Sequence, residues 1–213
     1  MENKRPNYLG SPYKETQSSH SAGNKPPSRL KEEIISWVKI IILAACIAFF
    51  LNTFLIANSM VPSGSMENTI PTNSRIMGSR LTYKFFEPER GDISIFLFPD
   101  DESRYYVKRI IGLPGETVEI RQGKIYINGS ETPLEEPYLK EEWLYDNDGY
   151  TFEIPEDSYL MLGDNRNWSQ DARYWENTYV HKDKLLAKVY FEYFPSLKWL
   201  DNYDKMTETQ PAT

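Results

Sequence analysis

The sequence predicts a mostly β protein joined to a single N-terminal membrane helix. Three observations carry this. An uncharged apolar run sits near the N-terminus. The body after it breaks into short β-like runs closed by turn residues. No long amphipathic helical pattern competes with those runs. The chain has 213 residues, 40% hydrophobic and 14% aromatic, which is enough apolar material for a packed core. No internal repeat is visible.

The apolar run is Ile40–Ala57, IIILAACIAFFLNTFLIA, in which only Asn52 and Thr53 are polar. At about 1.5 Å per residue it spans about 27 Å, close to the ~30 Å hydrocarbon core of a bilayer. Ile34, Ile35, Trp37 and Val38 extend it by a turn, so the expected span is 34–58, with Lys39 reaching back to the interface. A buried helix of a soluble protein is one alternative. A cleaved signal peptide is another, because small residues follow at 57–59; the length of the apolar run and of the segment before it favours an uncleaved anchor.

Charge is distributed in three blocks. Residues 1–39 carry seven basic and four acidic residues, 40–58 carry none, and 59–213 carry 17 basic and 27 acidic residues, for a net charge of −7. The basic excess places the N-terminal side in the cytoplasm and the body across the membrane. Residues 1–33, rich in Pro, Ser, Asn, Gly and Lys, read as a disordered cytoplasmic tail, and 201–213 as a flexible C-terminal tail. The acidic balance argues against a nucleic-acid partner. Cys46 is the only cysteine, and His20 and His181 are the only histidines, so neither a thiolate zinc cluster nor a multi-histidine metal site is expected.

The strands follow in order. Ile93–Phe98 ends at Pro99-Asp100-Asp101, and Tyr105–Ile111 ends at Gly112-Leu113-Pro114-Gly115. Thr117–Arg121 alternates, and Lys124–Ile127 runs into Asn128-Gly129, a hairpin signal. Tyr159–Leu162 and Leu186–Tyr193 complete the series. The tract 116–158 is short enough for a small insert only.

Three segments carry chemistry. The first is Pro62-Ser63-Gly64-Ser65-Met66. Its bland reading is a polar turn, but Ser65 lies eight residues past Ala57, at most about 28 Å away even fully extended, so it acts near the membrane surface. The second is Tyr105-Tyr106-Val107-Lys108-Arg109-Ile110-Ile111-Gly112. Lys108 interrupts an apolar strand, either as an edge lysine reaching solvent or as a desolvated amine whose lowered pKa makes it a base. The third is Gly163-Asp164-Asn165-Arg166-Asn167-Trp168-Ser169-Gln170-Asp171-Ala172-Arg173, where two acids and two arginines can fix a loop. His181 sits in a polar run and Cys46 lies in the apolar helix, which leaves Ser with Lys as the available nucleophile–base pair.

With these residues in order, the chain resembles the bacterial type I signal peptidases, membrane-bound serine proteases, in their short Gram-positive form. The resemblance runs from Ile34 to Pro195 and rests on the anchor, PSGSM at 62–66, Arg90-Gly91-Asp92, YVKRIIGLPG at 106–115 and GDNR…S.D.R at 163–173. It implies a signal-peptidase-like β-fold over 59–200, with Ser65 as nucleophile and Lys108 as general base. It also implies Ser63 and the Ser65 N–H as oxyanion-hole donors, and Ser169 as the hydroxyl that orients the lysine. Arg109, Asp164, Arg166, Asp171 and Arg173 would support the site, and Met66 would flank the substrate. The implied substrates are exported preproteins cut after Ala-X-Ala-like sites, with membrane lipid as the other partner and no metal or cofactor. The sequence departs from the family pattern at Asn68, where proline is common, and at Asn167, Trp168, Ala172 and Glu176. A non-catalytic or narrow-substrate relative serving surface-structure (pilus) assembly is the alternative; a Ser-Lys self-cleaving repressor would need a DNA-binding N-terminus that this chain lacks.

Overall fold

The computed structural model describes residues 29–143 and 149–200. The chain divides into two compact units, 1–44 and 45–213. The first described element is α1 (Arg29–Phe50), and it has no buried residue. Its apolar side chains therefore need an apolar medium outside the protein, and its length and composition fit a transmembrane anchor.

The helix bounds differ from the expected span of 34–58. The helix starts at Arg29, inside the expected 1–33 tail, with Glu32 in its first turn, where an acid is favourable. Past Phe50 comes a π-helical turn, Leu51–Leu55, and then residues 56–58 leave the helix for a strand. Residues 1–28, with His20, and the C-terminal tail 201–213 lie outside the described residues.

The body is β-rich. Its larger sheet orders β1 (Ile56–Val61), β2 (Ser74–Ser79), β10 (Leu185–Phe194), β3 (Ile93–Phe98), β4 (Asp101–Gly112), β8 (Ser158–Leu162) and β9 (Tyr179–His181), with β11 (Lys198–Trp199) paired to β10. A smaller sheet orders β6 (Lys124–Ile127), β5 (Thr117–Arg121) and β7 (Tyr150–Glu153), and lies within the tract read as an insert. All pairings are antiparallel. A four-residue helix, α2 (Thr82–Phe85), follows β2.

β1 and β2 carry weak strand signals, and tertiary pairing makes them strands. β1 alternates so that Ala57 and Val61 are buried. β2 buries Ser74, Ile76 and Gly78 on one face. A Cβ at Gly78 would stand 2.4 Å from the Lys188 carbonyl oxygen, so only glycine admits the β10 backbone this closely.

Two apolar clusters form the core. One joins the small sheet to β4 and β8 through Ile110, Val118, Ile120, Ile125 and Leu160. The other packs Val61, Met66, Ile70, Ile76 and Val189 under the end of β1. The turn that carries Ser65 is thus nailed to a core at both of its ends.

Candidate active site

β1 ends at Val61, and the chain then makes a 3₁₀ turn over Gly64–Met66. Met66 and Ile70 are fully buried. The amides of Thr69 and Ile70 donate to the Met66 carbonyl at 3.1 and 2.7 Å, and the Asn73 amide closes the loop onto the Val61 carbonyl at 2.8 Å. Met66, expected beside the substrate, is instead a core anchor, because its side chain fills the apolar cluster beneath the turn.

Lys108 is only 4% exposed and lies opposite Ser94 of β3. The edge-lysine alternative, a side chain reaching solvent, does not hold, because the Lys108 side chain is buried against the 64–66 turn. Its Nζ stands 2.6 Å from Ser65 Oγ and 3.3 Å from the Val107 carbonyl oxygen. The ammonium also faces the Tyr106 ring, 5.5 Å from its centroid. Burial pulls its pKa down to about 8, while Asp171 and Asp164 pull weakly the other way. Such an amine is about one-fifth neutral near pH 7.4, against about one part in a thousand for an ordinary lysine, and its neutral form can accept the proton of an adjacent hydroxyl. Ser63 Oγ lies 3.3 Å from Ser65 Oγ.

The loop 163–173 clamps this pair from behind. The Asn165 amide donates to the Ser65 carbonyl at 3.0 Å, and Asn165 Nδ2 donates to the Gly64 carbonyl at 2.9 Å. A Cβ at Gly163 would meet the Ser65 carbonyl oxygen at 2.5 Å and Ser169 Oγ at 2.2 Å, so the close approach requires glycine. Three buried ion pairs hold the loop. Arg109 grips Asp164 through Nε–Oδ1 at 2.8 Å and Nη2–Oδ2 at 2.6 Å, and Thr69 Oγ1 adds a donor to the same Oδ2. Arg173 grips Asp171 at 2.8 and 3.0 Å, and Asp171 Oδ2 also accepts from the Gly163 amide. Arg166 reaches Glu136, and its Nε donates to the Gly163 carbonyl at 2.9 Å.

Ser169 differs from expectation. It is buried beside Gly163, but among the described residues its Oγ has no hydrogen-bond partner, and the contacts of Lys108 go to Ser65, Val107 and Tyr106. Asn165, Thr69 and Glu136 were missed in the sequence. Asn165 stood inside GDNR, but its partners are backbone atoms about a hundred residues earlier in the chain, where no spacing signal reaches. His181 is exposed beside Asp183.

A cleft of about 290 Å³ opens over the pair, lined by residues 59–63, by 104–108 of β4, and by Trp168 and Gln170. A larger cavity of about 670 Å³, beside Gly123, Leu134, Glu136 and Trp143, contains none of these residues. Among the described residues, no cluster of three His, Cys, Asp or Glu side chains could hold a metal ion.

The family described as "Signal peptidase, peptidase S26" matches residues 34–194. The chain belongs to the signal peptidase family, peptidase S26. It is therefore a hydrolase acting on peptide bonds, of a family that removes signal peptides. It is 36% identical to a probable signal peptidase I-2 of Synechocystis sp., over 74% of this chain and 72% of that one. It is 33% identical to signal peptidase I of Leptolyngbya laminosa, over 87% of this chain and 91% of that one. It is 34% identical to signal peptidase I of Bacillus amyloliquefaciens, over 80% and 94%. Departures of this signal peptidase from its family pattern have local causes. Asn68 has φ +84°, which proline cannot adopt, and its amide donates to the Tyr138 and Leu139 carbonyls at 3.0 and 3.2 Å. Ala172 is core. Asn167 Nδ2 holds the Glu141 side chain and the Glu142 carbonyl.

Proposed function

We propose that this signal peptidase is a Ser-Lys endopeptidase that cuts exported preproteins after small residues, in an Ala-X-Ala-like pattern, on the outer side of the membrane. The observation that carries the reading is the buried Lys108 Nζ at 2.6 Å from Ser65 Oγ, with no carboxylate bonded to that amine among the described residues.

In this reading, neutral Lys108 takes the Ser65 proton as Oγ attacks the scissile carbonyl. The Ser63 hydroxyl and the Ser65 N–H receive the oxyanion, the latter from the first turn of a 3₁₀ helix, where amides lack intrahelical acceptors. The tetrahedral adduct collapses, and Lys108 returns the proton to the leaving amine. Water, deprotonated by Lys108, then attacks the Ser65 ester and frees the signal peptide. Ser169 has a place beside this centre as a hydroxyl able to meet Lys108 when substrate displaces the present contacts. Arg109, Asp164, Arg166, Asp171 and Arg173 position the loop.

Substrate binding is supported by two strand edges. β1 is the outer strand of its sheet, and β4 pairs with β8 only from Arg109 onward. An extended peptide can lie along such edges, with small side chains facing Ser59, Val61, Ser63 and Val107. The basic excess of residues 1–39 supports a cytoplasmic N-terminus, and α1 confines enzyme and substrate to one membrane plane. The test is cleavage of an Ala-X-Ala preprotein by the detergent-solubilised chain. Wild type is expected to cut at the site, and folded Ser65→Ala and Lys108→Ala to lose at least about 10³-fold in rate. Cleavage by Lys108→Ala at the wild-type rate overturns the mechanism.

A further inference from the structure

Resting on that reading, we propose that Arg104 forms a carboxylate-selecting subsite in the substrate cleft, favouring preproteins with an acidic side chain about four residues from the cut.

Arg104 lies four residues before Lys108 on β4, about 13 Å along the strand and about four residues of extended substrate. It is exposed, and it lines the cleft together with Tyr106 and Lys108. Its guanidinium is held by aromatic rings, 5.5 Å from the Tyr106 centroid and 5.9 Å from that of Phe98. Those two rings are themselves stacked at 4.4 Å. The platform fixes the direction of the charge without consuming its hydrogen-bond donors.

The acids that could neutralise it are engaged elsewhere. Asp101 senses Arg104 weakly, but its carboxylate accepts from the Ser103 amide and hydroxyl. Glu102 pairs with Lys184 at 2.7 Å. Asp100 caps the amides of Glu176 and Asn177. Among the described residues Arg104 has no ion pair, in contrast with Arg109, Arg166 and Arg173. A planar cation with free donors, fixed at the wall of a peptide-binding cleft, takes a carboxylate.

The experiment places Glu, Gln or Lys singly at each position of an Ala-X-Ala preprotein, from six residues before the cut to four after. At one position kcat/KM should rank Glu, Gln, Lys in steps of about three-fold, carried by KM, and should flatten in high salt. Arg104→Ala should abolish the ranking and Arg104→Glu reverse it. Peptide anisotropy on Ser65→Ala reads the same ranking without turnover, so a failure of the catalytic reading is seen separately. Equal handling of Glu and Lys at every position, or a ranking that survives Arg104→Ala, overturns the proposal.

Discussion

Lys108 and Arg109 are consecutive residues of β4, point to opposite faces of the sheet, and are 4% and 1% exposed. Arg109 meets a bidentate carboxylate, Asp164, and stays charged. Lys108 meets a serine hydroxyl and a carbonyl oxygen, and burial pulls its pKa down to about 8. The difference lies in what stands opposite. A buried cation with a carboxylate in contact becomes part of the frame, and one without has its pKa lowered toward the range of a base. The ion-paired face holds the loop still, and the polar but uncharged face is the one to which the proposed mechanism assigns the chemistry.

Removing the frame's carboxylate should have the largest effect on stability. Asp164→Ala takes the bidentate partner from a buried guanidinium and should cost about 3–5 kcal/mol, read as a drop in thermal unfolding midpoint in detergent. An unchanged midpoint would remove the distinction between the two faces. The opposite sign is expected next door. Lys108's folded pKa of about 8 lies below its ordinary value of 10.5, so the unfolded chain holds the proton more tightly. Stability contributed at this site falls as pH drops from 10.5 toward about 8, and the penalty is complete below that. Lys108→Met should therefore stabilise the inactive protein by about 1–3 kcal/mol at pH 7, and by less above pH 10.

Much of this site was legible in the order of its segments. PSGSM, YVKRIIG and GDNR mark the three segments that the fold brings together: the turn with Ser65, the strand with Lys108 and the clamping loop. The burial of Lys108 was not legible, because it depends on Ser94 of β3, the turn with Ser65 and the 163–173 loop closing around it. Within the strand alone, an edge lysine reads the same way. Glu136 was missed because its partner Arg166 stands thirty residues away across the insert. β1 and β2 were missed because small and polar residues fill their pairing positions, and pairing of β1 with β2 and of β2 with β10 supplies what propensity does not. Asn68 was visible as a departure, but its reason, a positive φ and two carbonyl partners, belongs to the folded chain.

A smaller test concerns how the frame reaches the chemistry. Asn165→Ala removes the Nδ2 contact to the Gly64 carbonyl while keeping the backbone bond to Ser65. It should lower kcat by about ten-fold, the rate equivalent of one hydrogen bond's worth of positioning, with little change in unfolding midpoint. A loss of stability with kcat intact would make Asn165 part of the frame alone.

The most direct measurement is the pH dependence of kcat/KM on one Ala-X-Ala preprotein. With Lys108 as the base, the rate should rise about ten-fold per pH unit at low pH, bend near its pKa of about 8, and level off above it. A profile flat through pH 8, or one still climbing to the ordinary lysine value of 10.5, would contradict a neutral buried Lys108 as the group that activates Ser65.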